Sequence, residues 1–374
     1  MKWRAALLAA LACAGLAANA QEIFRFPAKG KVPAGYPASY AATIAGAEQE
    51  GRLIIHSTTD RAIAAPLVED FQVLYPQIEV LYQDMNSTDL DNTYLSDVLT
   101  SPTTADILWS SAMDLQFRLA TSGRAQEYAS PEIAKLPDWA VWKNRAFATT
   151  YEPVVFIYNK GLLKDDEVPR SHAELARALT EKRDRFAGKV VTYDIGRSGL
   201  GFLLATQDDQ VSPEYWALAK ALGGAGTRFA ATTEAMIARV ARGEDLIAYN
   251  ALGSYVSIES KANAALGFVF PRDYTLVVTR IMLIGEKASN PNAARLWVDY
   301  ILSRRGQTVM ASGANLFSLR SDVEGANTAA ALAKSLGASL KPIALGPNLT
   351  VSYADRTKRL AFLKQWQQAV GAKP

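Results

Sequence analysis

The sequence predicts an α/β protein of two lobes. Three observations carry this reading: short apolar runs alternate with helical patterns from residue 38 onward, the strand ends are polar, and 374 residues exceed what one hydrophobic core serves.

The chain begins MKWRAALLAALACAGLAANA, where Lys2 and Arg4 precede an uncharged apolar run closed by Ala18-Asn19-Ala20. This pattern predicts a secretory signal peptide over 1–20, cut before Gln21 and too short for a spanning helix. Lipoprotein processing at Cys13 is the rival reading, weakened by Ala10 where a lipobox has Leu. Without residues 1–20 no cysteine remains, which excludes disulfides, thiolate metal sites and a Cys nucleophile. Loss of Lys2 and Arg4 lowers the formal charge of +3 by two, so net charge predicts neither nucleic-acid nor membrane-surface binding.

Residues 21–37, rich in proline and glycine, read as an extended arm, and a helical pattern from Ala38 stops at Gly51. RLIIHSTTD (52–60) is a strand ending in a polar loop, AIAAPLVEDFQVLYP (62–76) a helix and IEVLYQDM (78–85) a second strand, a β-α-β unit with parallel strands. Helices near 89–99 and 113–121 flank the strand ADILWSS (105–111). FATTYEPVVFIYN (147–159) is a strand region. A helical stretch runs from Lys160-Gly161 through SHAELARALTEKRD (171–184), and the strand KVVTYDI (189–195) ends in a glycine turn. Helices at 212–222 and 233–243, the strand DLIAYN (245–250) and one long apolar strand, YTLVVTRIMLIGE (274–286), follow. Asn290 and Pro291 open a helix as N-cap and first helical residue, and a helix over 355–370 ends the sequence. The chain is expected to cross between lobes at 147–157 and 274–284.

Ligands of open α/β sheets sit beyond the carboxyl ends of parallel strands, where helix N-termini also point. Four strand ends carry small polar chemistry: Ser57-Thr58-Thr59, Ser110-Ser111, Gly196-Arg197-Ser198-Gly199 and Tyr249-Asn250. Hydroxyls donate to anionic oxygens, Gly admits a ligand close to the backbone, and Arg grips phosphate or carboxylate through paired hydrogen bonds. Each Ser taken singly also reads as an N-cap; recurrence at four strand ends points to a site. Among the aromatics Trp139, Trp142, Tyr151, Phe156 and Tyr158, Tyr151 is the further ligand candidate.

The glycine turn lacks the Lys-Ser/Thr of a P-loop and runs G-x-x-G-x-G, so neither nucleotide pattern is met. His56 reads as a hydrogen-bonded histidine at a strand end and His172 as a surface residue beside a cap. With no H-E-x-x-H, G-x-S-x-G or acidic metal loop, no catalytic residue, metal ligand or cofactor is expected. Asp165-Asp166-Glu167 and Asp208-Asp209 read as solvated charge.

The ordered segments EGRLIIHSTTD (50–60), ADILWSS (105–111), TTYEPVVFIYNK (149–160), NPNAARLWVDYILS (290–303) and GANLFSLR (313–320) resemble the extracellular solute-binding proteins of ABC transporters, in the branch with ferric-binding and phosphorylated-solute-binding members. The resemblance implies a type II periplasmic binding protein whose lobes, 21–147 with 281–374 and 148–280, each hold a mixed, mostly parallel sheet flanked by helices. It further implies a periplasmic monomer that hands a small solute to an inner-membrane ABC permease.

Ferric members of this branch use adjacent tyrosines, and the matching stretch here, Tyr249 to Tyr255, holds no such pair. An anionic organic solute, phosphorylated first of all, is therefore expected. Ser57, Thr58, Thr59, Ser110 and Ser111 would hold it from one lobe, and Arg197, Ser198, Gly199, Tyr249 and Asn250 from the other, with Arg280 as a further cation. Two alternatives stay open: Fe(III) held by His56 with Tyr249 or Tyr255, and a sensory module contacting a membrane receptor.

Overall fold

The computed structural model describes residues 31–347, 349 and 356–371. The expected signal peptide lies outside them.

Tyr40–Glu50 (α1) ends where Gly51 takes φ 69°, a left-handed conformation that costs glycine no Cβ clash. Arg52–Ser57 (β1), Arg61–Leu74 (α2), Glu79–Asp84 (β2), Ser87–Thr100 (α3), Ile107–Ser110 (β3) and Met113–Thr121 (α4) then alternate. β1 pairs in parallel with β2 and with β3, so three strand ends fall on one edge of the sheet. Val141–Trp142 (β4) and Ala146–Ala148 (β5) add an antiparallel pair to the same sheet.

The chain changes sheets between Ala148 and Glu152. The second sheet and its helices comprise Glu152–Asn159 (β6), His172–Glu181 (α5), Arg183–Phe186 (α6), Val190–Tyr193 (β7), Gly199–Val211 (α7), Tyr215–Gly224 (α8), Arg228–Ala230 (β8), Thr233–Ala241 (α9), Ile247–Leu252 (β9), Gly253–Ala262 (α10), Leu266–Val269 (β10) and Thr275–Val278 (β11). Ile281–Ile284 (β12) returns to the first sheet between β3 and β5. Pro291–Leu302 (α11), Arg304–Ser312 (α12), Ala329–Leu336 (α13), Leu340–Pro342 (β13) and Arg356–Val370 (α14) follow. The strand orders are β2-β1-β3-β12-β5-β4 and β13-β11-β6-β9-β7-β8, with β10 on β6. Phe71, Trp109 and Trp297 centre one core, while Phe156, Phe202 and Tyr215 belong to another.

Four features depart from the sequence reading. The apolar run 274–286 is two strands in different sheets, because Arg280 between them is drawn into a fully buried ion pair. Residues 281–374 do not all pack with the first sheet. β13 pairs with β11, and α14 buries Phe362 and Trp366 against α8, with the Tyr215 and Trp366 rings 6.1 Å apart. The helical stretch expected from Lys160 begins only at His172, where the Ser171 side chain accepts from Glu174 N. Helix α7 follows Ser198, in keeping with the N-cap reading of that residue, but the sequence assigns it no span, because its first half, GLGFLLA, is buried all round and its polar residues cluster in TQDDQ, so no helical period stands out.

Candidate functional site

Six strand ends open into one cavity of about 340 Å³ between the two sheets. From the first sheet, β1 leads to Thr58 and Asp60, β2 to Asp84, Met85, Asn86 and Ser87, and β3 to Ser111. Opposite them, β7 leads to Tyr193, Ser198 and Leu200, β8 to Ala231, Thr232, Thr233 and Glu234, and β9 to Leu252 and Tyr255.

Caps orient three helix N-termini at this cavity. Asn86 Oδ1 accepts from Thr88 N and Asp89 N at 3.0 and 2.9 Å, Ser198 Oγ from Gly201 N at 3.1 Å, and Thr232 Oγ1 from Ala235 N at 3.3 Å. The positive ends of α3, α7 and α9 therefore point inward.

The two sheets' elements also touch directly. Leu200 N donates to Ser87 Oγ at 3.2 Å, Thr88 Oγ1 to Arg197 O at 2.9 Å, and Asp60 N to Tyr255 OH at 3.3 Å. Gly199 sits close in this approach: a Cβ there would lie 2.8 Å from Leu115 Cδ1 and 3.0 Å from Ser87 Oγ, so both side chains would have to shift.

Three carboxyl groups, Asp60, Asp84 and Glu234, stand on the wall. Among the described residues that line the cavity there is no Lys or Arg. Burial, then the neighbouring Asp60 carboxylate, pushes the Glu234 carboxyl up to about 7. The Arg61 guanidinium turns away to Tyr82 O, and only its backbone N reaches Asp84 Oδ2, at 3.2 Å.

Of the residues expected at the site, Thr58, Ser111 and Ser198 line the cavity. Ser57, Thr59 and Ser110 lie just beneath it and are engaged by protein. Ser57 Oγ donates to Trp109 O at 2.9 Å, Thr59 Oγ1 accepts from Arg280 Nη1 at 2.8 Å, and Ser110 Oγ accepts from Ala112 N at 3.2 Å.

The structure places five other residues differently from the sequence reading. The Arg197 side chain is exposed and absent from the lining, while its backbone N donates to Asp194 O within the turn and its O accepts from Thr88 on α3. Tyr249 OH and Asn250 Nδ2 both donate to the buried Asp208 at 2.5 Å, and Tyr274 OH joins them at 2.9 Å. Asp208 is thus an internal acceptor rather than solvated charge. Asn250 takes φ 64° in making this contact. Tyr151 packs at a tilt against Trp139, with centroids 6.0 Å apart, among residues of the first core. Arg280 is fully buried, its Nε 2.7 Å from Glu152 Oε1, and so does not face the cavity.

His172 is buried rather than at the surface, stacked 3.9 Å from Tyr274 with Nδ1 3.0 Å from Asp273 Oδ1. His56 lies inside β1 with Nδ1 lacking a hydrogen-bond partner, and burial lowers its pKa. Of His56, Tyr249 and Tyr255, only Tyr255 lines the cavity.

Asp60, the Asn86-Ser87 end of β2 and the Thr232-Thr233-Glu234 end of β8 were missed. The signal in the sequence is local: each lies where a strand leads into the start of a helix, as the other loops of the site do.

Residues 66–334 match the family described as bacterial extracellular solute-binding protein. No curated protein sequence matches the chain. The substrate binding protein of an ABC transporter from Agrobacterium tumefaciens is similar at 36% identity and TM-score 0.82, over 85% of this chain and 94% of that one. Two structures at lower identity share the fold. The periplasmic binding protein AfuA from Actinobacillus pleuropneumoniae, with exogenous fructose-6-phosphate bound, gives 17% identity and TM-score 0.70 over 86% of this chain and 99% of its own. Iron-bound HitA from Pseudomonas aeruginosa gives 16% identity and TM-score 0.65 over 85% and 99%. The expected resemblance and the two-sheet α/β fold are both borne out, and the chain belongs to the bacterial extracellular solute-binding proteins.

Proposed function

We propose that the chain is the substrate-binding component of an ABC importer, capturing a small polar organic solute in the cavity between the sheets and passing it to a membrane permease. The family match and the Agrobacterium relative support this role. A volume of about 340 Å³ lies within the range of small-molecule sites. Thr58, Ser111 and Ser198 with Ser87, Thr232 and Thr233 offer hydroxyls from both sides. A solute bridging them shifts the lobes toward a closed state, hinged where the chain changes sheets.

The observation that carries the solute's charge class is the acidic wall of Asp60, Asp84 and Glu234, with no Lys or Arg among the described lining residues. A dianion there meets repulsion without a compensating cation, so a neutral or cationic polar solute is the better fit. A phosphorylated solute is the second reading, favoured by the three helix N-termini aimed at the cavity. A thermal-shift comparison of fructose, fructose 6-phosphate and ethanolamine separates the two, because a ligand that binds only the folded state raises Tm. Stabilisation by fructose or ethanolamine supports the first reading, and stabilisation by fructose 6-phosphate alone supports the second.

A further inference from the structure

The cavity does not end at Asp60, Glu234 and Tyr255. Beyond them lies a second cavity of about 460 Å³, lined by the same three residues. Its other walls are largely apolar: Ala62 and Ile63 of α2, Ile237, Ala238 and Ala241 of α9 and Ile258 of α10 line it, with Glu259 of α10 the one further charged side chain among the described lining residues. Gly313, Ala314 and Asn315 also line it, and Lys261 Nζ donates to Asn315 Oδ1 at 2.7 Å. The two cavities adjoin across Asp60, Glu234 and Tyr255, which line both, one cavity largely polar and the other largely apolar.

The charges at this junction are unbalanced. Asp60 comes from the loop after β1 and Glu234 from the first turn of α9, with Asp84 beyond them. Arg280 lies 5.4 Å below the Tyr255 ring, but its charge is engaged by Glu152. Two carboxyl groups held close together share a proton or take up a cation between them. Aliphatic side chains facing solvent gain by covering with hydrocarbon.

On the reading that this cleft captures a solute, we infer that the second cavity is a subsite for the hydrocarbon part of an amine. The ammonium group lies between Asp60 and Glu234, and its alkyl or aryl portion lies against Ile63, Ile237, Ala238 and Ile258.

The test is titration calorimetry with hexylamine and phenethylamine against 1-hexanol and hexanoate. Both amines are expected to bind at least tenfold more tightly than the alcohol or the acid. Glu234→Gln and Ala238→Trp should each weaken hexylamine at least tenfold, while Ala238→Trp leaves ethanolamine unchanged. Ala238→Leu, a smaller filler, keeps the test decisive where the Trp variant does not fold. Equal binding of hexanol and hexylamine, undiminished hexylamine affinity in the filled variants, or no amine binding to the wild-type protein would overturn the proposal.

Native mass spectrometry of protein exposed to bacterial extract separates this from the underlying reading. A solute lost in Leu200→Trp, which fills the first cavity, but kept in Ala238→Trp leaves capture intact and removes the subsite. A solute kept in both variants removes capture by this cleft as well.

Discussion

Arg280 and Glu152 form a fully buried ion pair at the place where the chain changes sheets, with Nε 2.7 Å from Oε1. Glu152 opens the outgoing strand and Arg280 immediately precedes the returning one, so one pair ties both crossings together. The same guanidinium holds Thr59 at 2.8 Å and lies beneath Tyr255, which fixes the floor of the cleft to its hinge. Arg280→Met strands a buried carboxylate and is expected to destabilise the protein by about 3–5 kcal/mol. Guanidinium unfolding measures this, and the double variant with Glu152→Leu should recover most of the loss.

Gly199 sits where α7 meets α4 and the start of α3. Gly199→Ala puts a methyl group against Leu115 and Ser87 and should oppose the approach of the two sheets. Solute affinity is expected to fall about tenfold, a coupling of ordinary allosteric size. Small-angle scattering should show a larger radius of gyration with solute present than for the wild type.

Arg197→Ala should leave solute affinity within about twofold, because its side chain is exposed to solvent outside the cavity lining, where a charge contributes little. Calorimetry with whichever solute the thermal screen identifies decides this. A tenfold loss would return the guanidinium to the cleft.

Asp208 accepts from Tyr249, Asn250 and Tyr274 inside the second core. Asp208→Ala leaves three buried donors without their acceptor, each costing about 1–3 kcal/mol. The unfolding midpoint in urea should drop sharply. Solute affinity measured below the transition should change little.

Glu234 carries a pH signature. Its carboxyl is pushed up to about 7 in the folded protein, from 4.5 when unperturbed, so the folded state binds more protons than the unfolded state between those values. Stability is then full below about pH 4.5 and falls as pH rises through 7. Asp299, raised to about 6 by burial, adds a slope of the same sign. The difference between wild type and Glu234→Gln isolates Glu234: their Tm values should agree near pH 4, and the variant should melt higher at pH 8.

Thr58, Ser111 and Ser198 were legible because each needs only an apolar strand followed by a polar turn, a relation spanning a few residues. The crossings were legible for the same reason, since both fall within strand-like runs. Tyr249 and Asn250 shared that local chemistry and still turned inward, because their acceptor Asp208 lies about forty residues away and no short-range pattern joins them. Arg197 illustrates the opposite limit: residue type suggested a grip on anions, but side-chain direction depends on which of the turn's groups its neighbours engage.

The sequence by itself determined the main apolar strands and the polar turns after β1, β3 and β7, because each is a relation between neighbours a few residues apart. Tertiary structure alone decided the sign of the charge waiting there. Asp60 and Glu234 are far apart along the chain and become partners only when two sheets close on each other, and electrostatic preference depends on distance in space, which composition does not encode.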